Sequence, residues 1–365
     1  MVKPDYKGGS IVNLMSSIEK SFSGKPKYPE LRGFKLRGKK IILIVIDGLG
    51  YDYLKANKNS FLYKKLKDKI TSVFPSTTAS AITTFSTGLA PKQHAMTGWF
   101  VNLKEVGAVS AVLPFIPRIG GVTYSDVGVA KTKIFDSTSF SKKVQNYCAV
   151  VPSELKITDF SRSYSENFLG YNSLNGFIRQ IKKASCKSFV YAYWPVFDKL
   201  SHKYGIASKQ TKDHFKELDH ALSKLRGLNA QVILTADHGF TDVKKIINLN
   251  NHPKLMDCLS LPLAGEARAA YCYVYPTKAK EFESYVKNHL SKYAWLYTRE
   301  KLMKENWYGL YKPHKKLFHR VGDYVLLMKK GYALRDYLPN EEEAKDIGFH
   351  GGISAQEMHV PLVLW

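Results

Sequence analysis

The chain has 365 residues, 44% of them hydrophobic, which is enough for a sizeable core in one large or two smaller domains. Its 55 Lys and Arg outnumber 31 Asp and Glu for a net charge of +24, yet the basic residues are scattered and build no long tail. That distribution suits attraction of a small anionic substrate and points away from nucleic acid as the specific partner.

In chain order, the N-terminus "MVKPDYKGGSIVNLMSSIEKSF" places a Pro, an Asp and a Gly pair where a signal peptide needs an unbroken apolar run. No stretch reaches the ~18 apolar residues of a membrane span. Cys148, Cys186, Cys258 and Cys272 are widely spaced and form no CxxC pair, which argues against a zinc ribbon or a disulfide framework and fits a reducing compartment. The expected location is the cytoplasm.

The first strong element is "KKIILIVIDGLG" (39–50), a β-branched run ending in Asp-Gly. A helical pattern, "GYDYLKANKNSFLYKKLKD", follows it, and then "FPSTTASAITTFSTG" (74–88), in which eight of fifteen residues are Ser or Thr. Residues 98–135 are rich in Gly, Pro and β-branched types and read as an inserted hairpin or loop. "SLNGFIRQIKKA" is helical, and "KSFVYAYWPVFDKLSH" (187–202) is a second apolar run ending in an acid. "TKDHFKELDHALSKLRG" carries Phe215, Leu218, Leu222 and Leu225 at helical spacing. "AQVILTADHGFTD" (230–242) is the third apolar run, again with an Asp at its end.

Residues 260–335 mix strand-like and helix-like stretches and read as a small α+β insertion. The closing "HVPLVLW" reads as a strand returning to the sheet. Strand and helix alternate, so the expected fold is α/β: a mostly parallel central sheet with helices on both faces and a small inserted α+β cap. The expected division is a core of residues 1–259 and 336–365 with a cap of 260–335.

In parallel sheets ligands bind beyond the carboxyl ends of the strands, where the three acids fall. Each feature alone has an ordinary explanation. Asp47 in "IDG" suits a turn, and Asp198 with His202, four apart on one helical face, suits a solvated pair. Asp237 and His238 in "ADHG" share a strand end, and His350 in "FHGG" suits a turn histidine. Together, three carboxylates and three histidines supply six N/O ligands for two divalent ions, and two ions ~4 Å apart form a clamp for phosphoryl transfer. A hydroxyl from Thr77 or Thr78 would complete the set, because "ASAITTFSTG" after it can form a helix whose N-terminus favours an anion. Trp99 and Trp194 are placed either to stack on a substrate base or to serve as core. Arg268 and Arg320 could clamp a phosphate, although a solvated face is the plainer reading.

The order "VIDG", a Ser/Thr-rich segment closing in Thr-Gly, "DKLSH", "ADHG" and "FHGG" resembles the alkaline phosphatase superfamily, within it the type I phosphodiesterase and nucleotide pyrophosphatase group. The resemblance covers most of residues 40–250 plus 348–365. It implies one ion held by Asp198, His202 and His350, and a second by Asp47, Asp237 and His238 together with the nucleophile. It also puts the nucleophile ten residues before the closing Gly, which from Gly88 selects Thr78 over Thr77. The implied activity is hydrolysis of a phosphodiester or pyrophosphate bond in a small anionic phosphate ester, through a covalent phospho-threonine. The implied cofactors are two divalent ions, zinc with manganese as the alternative. A phosphomonoesterase or phosphotransferase on the same fold, or a basic binding protein without catalysis, are the competing readings.

Overall fold

The computed structural model describes residues 1–365 except Arg37, Lys39, Asn340 and Ala344. Lys39, the first residue of the 39–50 run, lies outside the described residues, as do two positions of the segment 336–365. Within that run Ile41–Ile46 form a strand, with all six side chains buried. A strand that is apolar on both faces must be covered on both, and this one takes an inner position. It pairs in parallel with Phe189–Trp194 on one side and Gln231–Thr235 on the other. Tyr147–Pro152 and Phe168–Tyr171 extend the parallel arrangement beyond Phe189–Trp194. On the opposite flank the closing strand His359–Leu364 runs antiparallel to both of its neighbours, Gln231–Thr235 and Leu66–Thr71. The result is a mainly parallel seven-stranded sheet flanked by helices.

The helices start where side chains supply caps. Ser173 accepts from the Gly176 N–H to open Leu174–Ala184, and Ser208 accepts from the Thr211 N–H to open Lys209–Ser223. Phe215, Leu218, Leu222 and Leu225 are buried, as their spacing requires. The stretch 50–68 departs from the expected helix. It forms two short helices, Tyr51–Ala56 and Phe61–Lys64, and then the strand Leu66–Thr71. That strand lies at the sheet edge with Lys67, Asp68 and Lys69 exposed, so it lacks the apolar run by which an inner strand is recognised.

A second sheet, also of seven strands, is antiparallel throughout. It takes four strands from residues 264–328 and three from 100–117. The expected insertion was small and separate from the 98–135 hairpin; instead the hairpin adds to it, through pairing of Gly265 with Phe100. Glycine is required at this junction: a Cβ on Gly98 would stand 2.7 Å from the Gly265 Cα, and Gly265 has φ +78. Among the described residues no helix is long and apolar enough to cross a membrane. Asp47, Asp198 and Asp237 all lie just beyond the carboxyl ends of three adjacent parallel strands, at one edge of the central sheet.

Candidate active site

Asp47 follows Ile41–Ile46 directly and is 2% exposed. Its Oδ2 accepts a short hydrogen bond from the Tyr193 hydroxyl, and its Oδ1 is 3.3 Å from His238 Nε2. Asp198 sits in the first turn of the helix Val196–Tyr204, and one turn later His202 brings Nε2 to 3.6 Å from Asp198 Oδ1. Asp237 and His238 follow Gln231–Thr235, where the chain has left the strand and neighbouring side chains no longer alternate faces. Asp237 Oδ1 accepts from the Gly48 and His238 amides, each at 3.0 Å, and its Oδ2 lies 3.3 Å from His238 Nε2. His350 comes from the far end of the chain and sets Nε2 3.1 Å from His202 Nε2.

Second partners fix the imidazoles. His202 Nδ1 donates to the Gly348 carbonyl at 2.9 Å and His238 Nδ1 to the Gly239 carbonyl at 3.1 Å. A carbonyl only accepts, so each Nδ1 carries the proton and each Nε2 keeps its lone pair for a ligand. The potential ligand atoms of Asp198, His202 and His350 lie within 4.8 Å of one another, as do those of Asp47, Asp198 and His238. Asp198 therefore stands with both groups, whereas the resemblance assigned it to one. Asp237 reaches the second group through His238.

The electrostatics fit divalent cations. Burial, then the neighbouring Asp198 and Asp237, pushes the Asp47 carboxyl well above its ordinary range. Burial likewise raises Asp198, to about 7. Burial holds His350 well below the usual imidazole range, with His238 and His202 adding to the effect, and it also lowers His202. Asp198 Oδ1 and Asp237 Oδ2 are buried with no hydrogen-bond partner among the described residues. A cation placed among these groups would favour the ionised carboxylates and would find the imidazoles already unprotonated, as ligation requires. The mixed N/O donor set suits divalent metal ions.

The Ser/Thr-rich segment delivers its two threonines to different places. The helix runs Thr78–Thr87 and ends at Gly88, whose N–H returns to the Thr84 carbonyl and whose φ of +73 turns the chain out of the helix. Thr78 Oγ1 lies 3.1 Å from His238 Nε2 and 3.4 Å from Asp47 Oδ1. Thr77 occupies the N-cap position without capping; its hydroxyl donates to Glu266 Oε1 at 2.6 Å, in the second sheet. Only Thr78 faces the carboxylate–imidazole cluster.

Two cavities share Thr78 in their walls. One, of about 680 Å³, lies towards the second sheet, with Glu266 and Arg335 in its wall. The other, of about 400 Å³, is lined by Ile82, Tyr147, Phe160, Tyr164, Tyr191 and Tyr193 among others. Thr78, Trp99, Asp198 and Lys199 belong to both walls.

The other expectations fare differently. Trp99 is 39% exposed at the site, whereas Trp194 is buried, stacked on Tyr171 and donating its indole N–H to His214. Arg268 and Arg320 are neither solvated nor free to hold a phosphate. Arg268 makes a two-pronged pair with Glu357 at 2.6 and 2.8 Å, and Arg320 binds Glu105 at 2.8 Å. Both are 1% exposed; Arg268 ties the second sheet to the segment before the closing strand, whereas Arg320 reaches a turn of the second sheet itself. Glu266, Lys199 and Tyr193 were not picked out from the sequence. Tyr193 sits within an apolar run, and Glu266 meets its partner across 189 positions, so neither carries a local signal.

The sequence profile of the family described as type I phosphodiesterase / nucleotide pyrophosphatase matches residues 41–353. The fold is similar to that of murine ectonucleotide pyrophosphatase / phosphodiesterase 5, with 19% identity, TM-score 0.67, and 88% of this chain and 87% of that one covered. The human protein of the same name gives 18% identity and TM-score 0.66 over 89% and 87%. Phosphonoacetate hydrolase from Sinorhizobium meliloti 1021 gives 16% identity and TM-score 0.62 over 89% of each chain. No curated protein matches the sequence.

Proposed function

The chain belongs to the type I phosphodiesterase / nucleotide pyrophosphatase family, and on that premise we propose that it hydrolyses phosphodiester or pyrophosphate bonds through a phospho-threonine on Thr78. The observation that carries this reading is that two cavities share Thr78 in their walls. A diester has two substituents on phosphorus and needs room for both; a monoester needs one. The smaller, tyrosine-lined cavity suits the substituent that stays, and the larger suits the leaving group.

Asp198, His202 and His350 would hold one divalent ion, and Asp47, Asp237 and His238 with Thr78 the other. Such ions, when bound, acidify the Thr78 hydroxyl and offset charge on the phosphoryl oxygens. Thr78 Oγ1 attacks phosphorus in line, an O–P bond forms, and the bond to the leaving oxygen breaks on the far side. Water then attacks the same phosphorus, breaks the threonyl O–P bond and restores the hydroxyl. Lys199, exposed at the wall shared by both cavities, is positioned to attract the substrate's anionic oxygens. An inactive variant of the murine protein named above was solved with AMP, which supports trying nucleotide esters first.

The test is kcat/KM for bis(p-nitrophenyl) phosphate and for p-nitrophenyl phosphate under saturating zinc or manganese. The diester should be the better substrate. A strong preference for the monoester would transfer the chain to the phosphatase reading, and no turnover of either with metal bound would favour a binding protein.

A further inference from the structure

Glu266 ends the strand Ala264–Glu266 of the second sheet and reaches the nucleophile segment. Its Oε1 accepts two hydrogen bonds of 2.6 Å, one from the Thr77 hydroxyl and one from the Trp99 backbone N–H. Bonds this short to a carboxylate oxygen are among the stronger kind. Its stem is confined, since a Cβ on Gly351 would stand 2.6 Å from the Glu266 Cβ. Gly351 in turn donates its N–H to the Ser76 carbonyl at 2.9 Å. Three segments thus converge on this carboxylate: the turn before Thr78, the residue lining both cavities, and the loop that carries His350.

A threonine at an N-cap ordinarily turns its oxygen back to the helix amides. Thr77 does not, because Glu266 draws its hydroxyl the other way. The backbone of Thr77 is thereby fixed, and with it the direction in which the next side chain leaves. We propose that Glu266 is the positioning residue of the nucleophile, holding Thr77 and Trp99 so that the Thr78 hydroxyl faces Asp47 and His238. This rests on the reading of Thr78 as nucleophile. Glu266 acts through its neighbours, so it should affect turnover rather than metal content.

The experiment compares wild type, Glu266→Ala, Glu266→Gln, Thr77→Ala and the Glu266→Ala/Thr77→Ala double variant, each loaded with zinc. The readouts are kcat and KM on bis(p-nitrophenyl) phosphate, bound zinc, and hydrogen exchange at the Trp99 amide. Misplacement of a reacting atom by about 1 Å can cost about 100-fold, so Glu266→Ala should lower kcat about 10- to 100-fold with KM within about twofold and bound zinc unchanged. Glu266→Gln keeps an accepting oxygen for both donors and should restore kcat to within about threefold of wild type. The double variant should be no slower than Glu266→Ala, because both changes break one tether.

Unchanged kcat in Glu266→Ala would overturn the proposal. So would losses that multiply in the double variant, or a Gln variant as slow as the Ala variant. If wild type cleaves no phosphoester, the functional reading fails by itself, and the tether is still judged by exchange. The Trp99 amide should exchange faster in Glu266→Ala, and an unchanged rate would refute it.

Discussion

His202 and His350 aim their Nε2 atoms at each other across 3.1 Å. His202 spends its only ring proton on the Gly348 carbonyl, so its Nε2 is a bare lone pair. Asp198 Oδ1, 3.6 Å from the first imidazole and 3.9 Å from the second, completes a triangle of potential ligand atoms. Such a triangle is well arranged for a cation.

The first prediction follows from that triangle. Purified protein should bind about two divalent ions, and a chelator should abolish turnover and lower the melting temperature. A ligand held at ~1,000 times its Kd stabilises by about 4 kcal/mol, which is a large fraction of a normal folding free energy. Binding should weaken as pH falls below about 7, where Asp198 takes up its proton and protons compete with the ion. Elemental analysis without stoichiometric metal, or a melting curve indifferent to EDTA, would contradict this.

A second prediction concerns the Arg268–Glu357 pair, both members buried. Burial pushes the Glu357 carboxyl up, but the Arg268 charge and hydrogen bonds from Arg268, Ser354 and Gly352 outweigh it and hold it below the ordinary range. A depressed carboxyl contributes stability above its unfolded value, near 4.3, that is lost as pH falls through its folded value. Arg268→Ala leaves the carboxylate buried without its partner and should cost about 3–5 kcal/mol at pH 7. The cost should shrink at pH 4, where the stranded group can be neutral. Urea titrations at the two pH values measure both, and a penalty under about 1 kcal/mol at pH 7 would show that the pair is dispensable.

The acids at the strand ends were legible because each follows a continuous apolar run, and a parallel sheet gathers such ends at one edge. Asp198 and His202 were legible as neighbours from helical spacing alone. What lay beyond reach was set by contacts distant in sequence. Nothing near Arg268 announces Glu357, 89 positions away, and an Arg in a basic chain reads as solvated until its partner is seen. The edge strand Leu66–Thr71 hid behind its charges. Thr77 and Thr78 are chemically alike, and only their surroundings in three dimensions separate them.

A third prediction probes the tyrosine-lined cavity. Ser86 lies one helical turn beyond Ile82, and both line this cavity, off the same helix as Thr78. Ser86→Trp should fill part of its 400 Å³ without touching the metal ligands. Loss of room for one substituent should raise KM for bis(p-nitrophenyl) phosphate about tenfold and leave p-nitrophenyl phosphate nearly unaffected, in keeping with the ~1–3 kcal/mol by which pocket shape discriminates. Equal loss on both esters would argue that the cavity holds neither substituent.

The last prediction separates the two threonines. Thr78→Ala removes the hydroxyl that faces Asp47 and His238, and with it the proposed attacking atom. Loss of a nucleophile typically lowers kcat by several orders of magnitude, far more than a packing change accounts for. Thr77→Ala removes a hydroxyl directed at Glu266, so one of the two bonds to that carboxylate is lost while the Trp99 amide keeps the other. No helix cap is lost with it, since this hydroxyl accepts nothing from the helix. Turnover should therefore stay within about tenfold of wild type, well short of the loss at Thr78. The measurement is kcat for both variants under saturating metal, with circular dichroism and bound-metal analysis to establish that each is folded and loaded. A dead Thr77→Ala beside an active Thr78→Ala would assign the attack to Thr77 and require the segment to rearrange when substrate binds. Near-normal turnover in both would remove the covalent step and leave direct attack by water as the chemistry of this site.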